Sequence, residues 1–145
     1  HAMAGRDYHF FITDATGDSR VVEYDPEADG RPLVATPVRE ITNYYAIYTD
    51  KVQPNQKNGI YGHGKERYDA IMDVLARRDP DGNIPADTAW QALQAAAQDP
   101  SPNDVTSNTQ WSLVYDDTGL TAQIVIRRKW GDVIHYDLNT NEIGG

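Results

Sequence analysis

No cysteine occurs in these 145 residues. That removes disulfide staples, cysteine-ligated zinc and any thiol nucleophile supplied from within the chain. Cations are scarce beside anions: 13 Lys and Arg against 22 Asp and Glu leave a formal net charge of −9. Nucleic-acid binding needs clustered cations to neutralise phosphates, and adsorption to an anionic membrane surface needs them too. Neither nucleic acid nor membrane is therefore expected as a partner. The one basic run, Arg127–Lys129, reads as the solvated end of a strand. Long apolar runs are missing as well, since nothing approaches the roughly 20 residues a spanning helix needs. No charged-then-apolar leader opens the sequence, so nothing marks secretion and the expected compartment is the cytoplasm. His1–Ala4 reads as a cloning or protease-site remnant and carries no fold argument.

What is present is ordinary for a folded domain: 39% hydrophobic and 24% charged residues, with 11 glycines. Disorder is not the default for such a composition. The length fits one domain or part of one, able to bury roughly two-thirds of its unfolded surface.

The chain opens with strand-like alternation. Tyr8, Phe10 and Ile12 would face one way, with His9, Phe11 and Thr13 on the other. A turn at Asp14–Asp18 and a return strand at Val21–Tyr24 complete a hairpin. Asp25–Pro32 reads as a polar loop and Val38–Asn43 as a further short strand. Thr49–Gly64 reads as a long functional or mobile loop. Tyr68, Ile71, Met72 and Leu75 repeat at helical spacing, predicting a helix over Lys65–Arg78. A second helix fits Pro85–Gln98, with Asp87 near its start. Three late strands follow at Gln110–Tyr115, Ala122–Arg127 and Val133–Tyr136, with a hairpin turn at Asp116–Gly119 and a frayed tail over residues 139–145. The expected class is α+β, a mostly antiparallel sheet with two consecutive helices between early and late strands.

Metal and triad chemistry find little support. His1, His9, His63 and His135 stand at no ligand spacing, and Ser19, Ser101, Ser107 and Ser112 lack G-x-S-x-G surroundings. No metal or cofactor is expected. His63, in Y-G-H-G, reads as a solvated loop histidine with ligand contact as the alternative.

Three segments stand in a familiar order: H-F-F-I-T-D-A-T-G at His9–Gly17, E-I-T-N-Y-Y at Glu40–Tyr45 and T-Q-W-S-L-V-Y-D at Thr109–Asp116. With Val22-Glu23 and Arg67 between them, the chain resembles the linear amide C–N hydrolases. That family includes choloylglycine hydrolases and penicillin V acylases. The resemblance implies an N-terminal-nucleophile hydrolase with an αββα four-layer sandwich, of which residues 5–138 would be the C-terminal part.

It also implies roles. Asn43 would donate to the tetrahedral oxyanion of amide hydrolysis, where a preorganised neutral donor is effective. Read on its own, Asn43 is a strand-terminating turn residue. Arg67 opens a helix, where a cation opposes the dipole. The resemblance places its guanidinium near the nucleophile, favouring thiolate over thiol, whereas a solvated helix arginine is the plain reading. Tyr44 and Tyr45 are candidate substrate-binding aromatics, with core packing as the alternative. His9, Asp14 and Glu23 read as structural, Asp14 by holding the hairpin turn.

The departures from the family are as informative. The opening Met-Cys is absent, and so is the first half of the family fold. The chain alone is expected to be inactive, and its apolar sheet faces should need either the missing N-terminal half or self-association. The expected substrate of the intact protein is a small-molecule amide: an N-acyl amino acid, a conjugated bile acid or a penicillin side chain. The alternative is a non-catalytic binding or scaffold module with the same partial fold.

Overall fold

The computed structural model describes residues 8–56, 64–77, 84–103 and 107–144. The chain divides into two compact units, His1–Glu66 and Arg67–Gly145. Among the described residues it is α+β, with two antiparallel sheets and three α-helices.

The first unit is built on a three-stranded sheet in the order β1 (His9–Thr13), β2 (Ser19–Tyr24), β3 (Leu33–Pro37). The expected hairpin forms. Asp14 Oδ1 accepts from the Thr16 and Asp18 amides at 2.8 and 3.3 Å, and Gly17 takes φ +83°, a conformation that glycine adopts at little cost. Asp14 is thus the turn residue the sequence indicates.

The strand expected at Val38–Asn43 lies earlier, at β3, and residues 38–43 leave the sheet. The register gives the reason. Pro37 opposes Arg20, and Val38 reaches the end of β2, where its amide donates to Ser19 O at 3.3 Å. Beyond that point the partner strand has turned away, so residues 39–43 have no ladder to join.

Cross-strand partners share a face, so the register sorts the sheet into two. Val21 and Glu23, both fully buried, lie on the face covered by residues 44–48. Phe10, Ile12 and Leu33 lie on the other and are 51%, 54% and 58% exposed. A 3₁₀ turn at Ala46–Tyr48 leads into α1 (Thr49–Val52) and a second 3₁₀ turn at Gln53–Asn55. Part of the expected long loop is therefore helical. Residues 57–63, including His63, lie outside the described residues.

α2 (Gly64–Leu75) runs across the boundary between the units, and α3 (Ala86–Ala95) belongs to the second. α2 begins one residue before its expected start at Lys65, α3 one residue after its expected start at Pro85, and both stop earlier than expected. Arg77 Nε caps the first helix at the Asp73 carbonyl, 3.2 Å away. The second sheet runs β4 (Trp111–Asp116), β5 (Thr121–Ile126), β6 (Ile134–Asp137), β7 (Glu142–Gly144).

β7 corrects the frayed tail. Asp137 Oδ1 accepts from the Asn139 and Thr140 amides, and Asn141 adopts φ +61°, which turns the chain back onto β6. The basic run follows β5, but Arg128 is not solvated. Its side chain is 19% exposed and bonds Asn108 Oδ1, Thr109 O and Asp99 Oδ1.

One face of this sheet carries Ser112 and Val125, buried against α3, whose Trp90 donates to Gln123 Oε1 at 2.7 Å. The opposite face is apolar throughout: Trp111, Leu113 and Tyr115, then Ala122, Ile124 and Ile126, then Ile134, Tyr136 and Ile143. Trp111 is 64% exposed and Ile143 75%.

Candidate functional site

Thr42–Tyr48 is the segment on which three of the four sequence-selected residues fall. It makes a tight reversal, with the Tyr44 amide donating to Thr42 O at 2.9 Å. Two contacts hold the reversal in place. The Thr42 hydroxyl donates to Gly64 O at 2.7 Å, and Gln56 Nε2 donates to Asn43 O. Thr42 and Gln56 are both buried, at 7% and 3% exposed. The backbone on either side of the Asn43 side chain is therefore fixed, while Asn43 itself is exposed. A fixed backbone beneath the Asn43 side chain is one part of what preorganised hydrogen-bond donation requires.

Tyr44 is 6% exposed and packs in the core of the first unit. Tyr45 is half-buried and meets Tyr48 edge-on, with ring centroids 6.4 Å apart. The Tyr48 hydroxyl donates to Asp25 Oδ1 at 2.6 Å, and the same oxygen accepts from the Glu27 amide at 2.9 Å. Those bonds hold the Asp25 carboxyl below the usual carboxylate range and push Tyr48 up to about 12. Lys51 bridges to Glu27 at 2.9 Å, with its ammonium 5.3 Å from the centre of the Tyr48 ring.

Arg67 stands in the first turn of α2, as the sequence indicates, and is the first residue of the second unit. Burial makes its guanidinium a weaker base than usual. An arginine remains charged under such a shift.

Two residues of the first unit carry more than the sequence indicates, Glu23 and Gln56. Glu23 is fully buried on β2; Ile47 N–H donates to its Oε1 at 3.0 Å, and its Oε2 has no hydrogen-bond partner. Burial raises its carboxyl above the usual value. One signal was available, since Glu23 has the inward parity of Val21. Gln56 sits in a polar stretch and gave no such signal.

The serines have structural duties. Ser19 donates to Val38 O at 2.6 Å, Ser107 to Asp99 O at 2.9 Å, and Ser112 is buried in the second sheet. Among the described residues no group of three His, Asp or Glu could hold a metal. A shallow hollow of about 110 Å³ lies over the first hairpin, lined by Ile12, Asp14, Arg20 and neighbours. It is small beside the roughly 300 Å³ at which ligand pockets begin, and no candidate residue lines it. Among the described residues no helix is long and apolar enough to cross a membrane. No protein-family model, no curated protein and no solved structure matches the chain.

Proposed function

We propose that this chain is the C-terminal part of a cysteine N-terminal-nucleophile amidase that hydrolyses linear, non-peptide C–N bonds. The substrates would be N-acyl amino acids, conjugated bile acids or penicillin side chains. The observation that carries the reading is the backbone clamp on Asn43: a buried glutamine and a buried threonine fix the reversal that presents an exposed carboxamide.

The chemistry follows from the residues. A thiolate adds to the amide carbonyl, and negative charge develops on its oxygen. The Asn43 amide donates to that oxyanion, an interaction stronger in the transition state than in the ground state. The Arg67 guanidinium favours thiolate over thiol. Since the chain holds no cysteine, the nucleophile comes from outside it, and the chain alone does not turn over. Tyr45, two residues after Asn43 and half-buried, would supply aromatic surface toward the acyl group, whereas Tyr44 packs in the core. The apolar faces of both sheets suit the inner layers of an αββα sandwich, in which a second sheet covers each. The missing N-terminal half would provide that cover, or a second copy in its place.

A second reading is favoured by the absence of cysteine: a binding or scaffold module that keeps the partial fold without the nucleophile. The deciding experiment is on the full natural gene product. Its N-terminal residue is identified by mass spectrometry before and after thiol alkylation, and hydrolysis of an N-acyl amide panel is followed in parallel. An alkylated N-terminal cysteine with loss of hydrolysis supports the amidase. Asn43→Ala should then lower kcat about 10²- to 10³-fold. A gene product with no cysteine and no hydrolysis leaves the module.

A further inference from the structure

The second sheet has two ends as well as two faces, and the ends differ in charge. At one end β4 begins beside the close of β5, where the Arg127 amide donates to Gln110 O at 2.8 Å. Arg127, Arg128 and Lys129 stand there against Asp132 and against Asp99, which is paired with Arg128. At the other end Asp116 opposes Thr121, Thr121 opposes Asp137, and Asp137 opposes Glu142. With Asp117 in the adjoining turn, that end holds four carboxylates, and residues 116–121 and 137–142 include no lysine or arginine. Between the ends lies the apolar face, with Trp111 next to the cationic end and Tyr115 next to the anionic one.

We propose that two copies of this chain pack face to face through the second sheet, with their strands antiparallel. The two-fold axis then lies between the sheets and runs across the strands. β4 covers β4 of the other copy, and the cationic end of each copy meets the anionic end of the other. An isologous interface requires a surface that complements itself. Apolar surface meets apolar surface in any orientation, but these ends attract each other only in this one. A two-fold axis along the strands would set four carboxylates against four. The charges stand at the strand ends rather than on the apolar face, so packing that face leaves them in water, where they incur no burial cost.

The size of the face sets the strength. Four strands about 4.8 Å apart, the longest of six residues at about 3.3 Å each, give roughly 20 Å by 20 Å at the widest. That is small beside the roughly 800 Å² that each partner contributes to a stable complex. The dimer therefore forms and dissociates with concentration. Each copy also carries a formal charge of −9, and like net charges repel in every orientation. Orientation and net charge thus predict opposite signs for the same substitution.

The pairing is independent of the amidase reading, and its test touches neither Asn43 nor Arg67. Asp117→Lys with Glu142→Lys reverses two charges at the anionic end. Each exchange adds two charges, so the net charge moves from −9 to −5. Asp29→Lys with Asp50→Lys makes the same net change at exposed residues of the first unit. Self-association of each is measured by sedimentation velocity at about 0.1 M salt, where charges roughly 10 Å apart still interact. Net charge alone would strengthen both. The antiparallel dimer predicts that the first-unit pair strengthens association while Asp117→Lys with Glu142→Lys weakens it about fivefold.

Cross-linking reads the orientation without altering any charge. The chain has no cysteine, so Thr118→Cys and Gly131→Cys each introduce a single thiol, at opposite ends of the sheet. Thr118 is exposed, and a Cβ at Gly131 would meet nothing within 4 Å. A short bismaleimide should join the two variants when they are mixed and should join neither to itself. Three results would each overturn the proposal: charge reversal at the anionic end that strengthens association, either cysteine variant cross-linking to itself, or no cross-link in the mixture.

Discussion

The side-chain amide of Gln56 donates to the backbone carbonyl of Asn43 while its oxygen end lies against Gly64, the first residue of α2. An added Cβ at Gly64 would stand 2.3 Å from Gln56 Oε1 and 3.1 Å from its Cδ. Real contacts are not that short. Gln56 is 3% exposed and cannot swing into solvent without releasing Asn43. Glycine is required here by a neighbour, not by a backbone angle.

Gly64→Ala should therefore destabilise the fold by about 1–3 kcal/mol through overpacking. In a Gln56→Ala background the obstruction is gone and the sign should reverse. Alanine is favoured over glycine in a helix interior by about 1 kcal/mol, and by less at a first position such as Gly64. Urea denaturation of the four proteins measures the cycle. An equal cost in both backgrounds would show that Gln56 is not what excludes the side chain.

How much of this was legible follows from what each element depends on. The β1–β2 hairpin is local, and Asp14 with Gly17 announces its turn, so its pairing could be read directly. β3 depends on where β2 ends, a long-range fact, and the apolar letters of Val38 and Ile41 misplaced it. The sequence places Asn43 at a strand end for the same reason. Its actual support, from Gln56 and Thr42, reaches across 13 and 22 residues of chain, with no period for a sequence to display. Glu23 was visible in principle as an acid at an inward position, but only pairing shows that the position is inward.

Tyr48 should be among the last of the nine tyrosines to ionise. Its bond to Asp25 pushes it up to about 12 from an ordinary 10.0. The neutral phenol is the form that the fold favours. Stabilisation is present below 10.0 and disappears as pH rises toward about 12. Absorbance titration near the phenolate band should show a late step that Tyr48→Phe removes. Asp25→Asn should move that step down. A late step that persists in Tyr48→Phe would assign it elsewhere.

Trp90 links α3 to the second sheet through one bond, Nε1–H to Gln123 Oε1 at 2.7 Å, and its ring meets Trp130 edge-on at 6.2 Å. Trp90→Phe keeps an aromatic ring but leaves the Gln123 oxygen without its donor. The expected cost is about 1–3 kcal/mol, read as a lower urea midpoint. Adding Gln123→Leu replaces the unmet acceptor with an apolar group and should recover part of that loss. If the double variant is weaker by the sum of the two single changes, the bond contributes nothing specific.

The uncovered face of the second sheet gives the last prediction. Nine apolar positions share it with no charged residue among them, and Trp111 and Ile143 are 64% and 75% exposed. Natural sheets that face water place polar residues on that side. The other face of this sheet does carry them, at Asp116, Thr121, His135 and Asp137. The polarity of the strands is thus arranged for an apolar partner, and the chain by itself should associate. Sedimentation velocity should show a mass that rises with concentration, and a hydrophobic dye should bind. Trp111→Lys with Ile143→Lys alters two exposed side chains, so far-UV circular dichroism should hold while association and dye binding fall. A wild-type chain that stays monomeric at every concentration, without binding the dye, would mean that this face is covered within the chain itself.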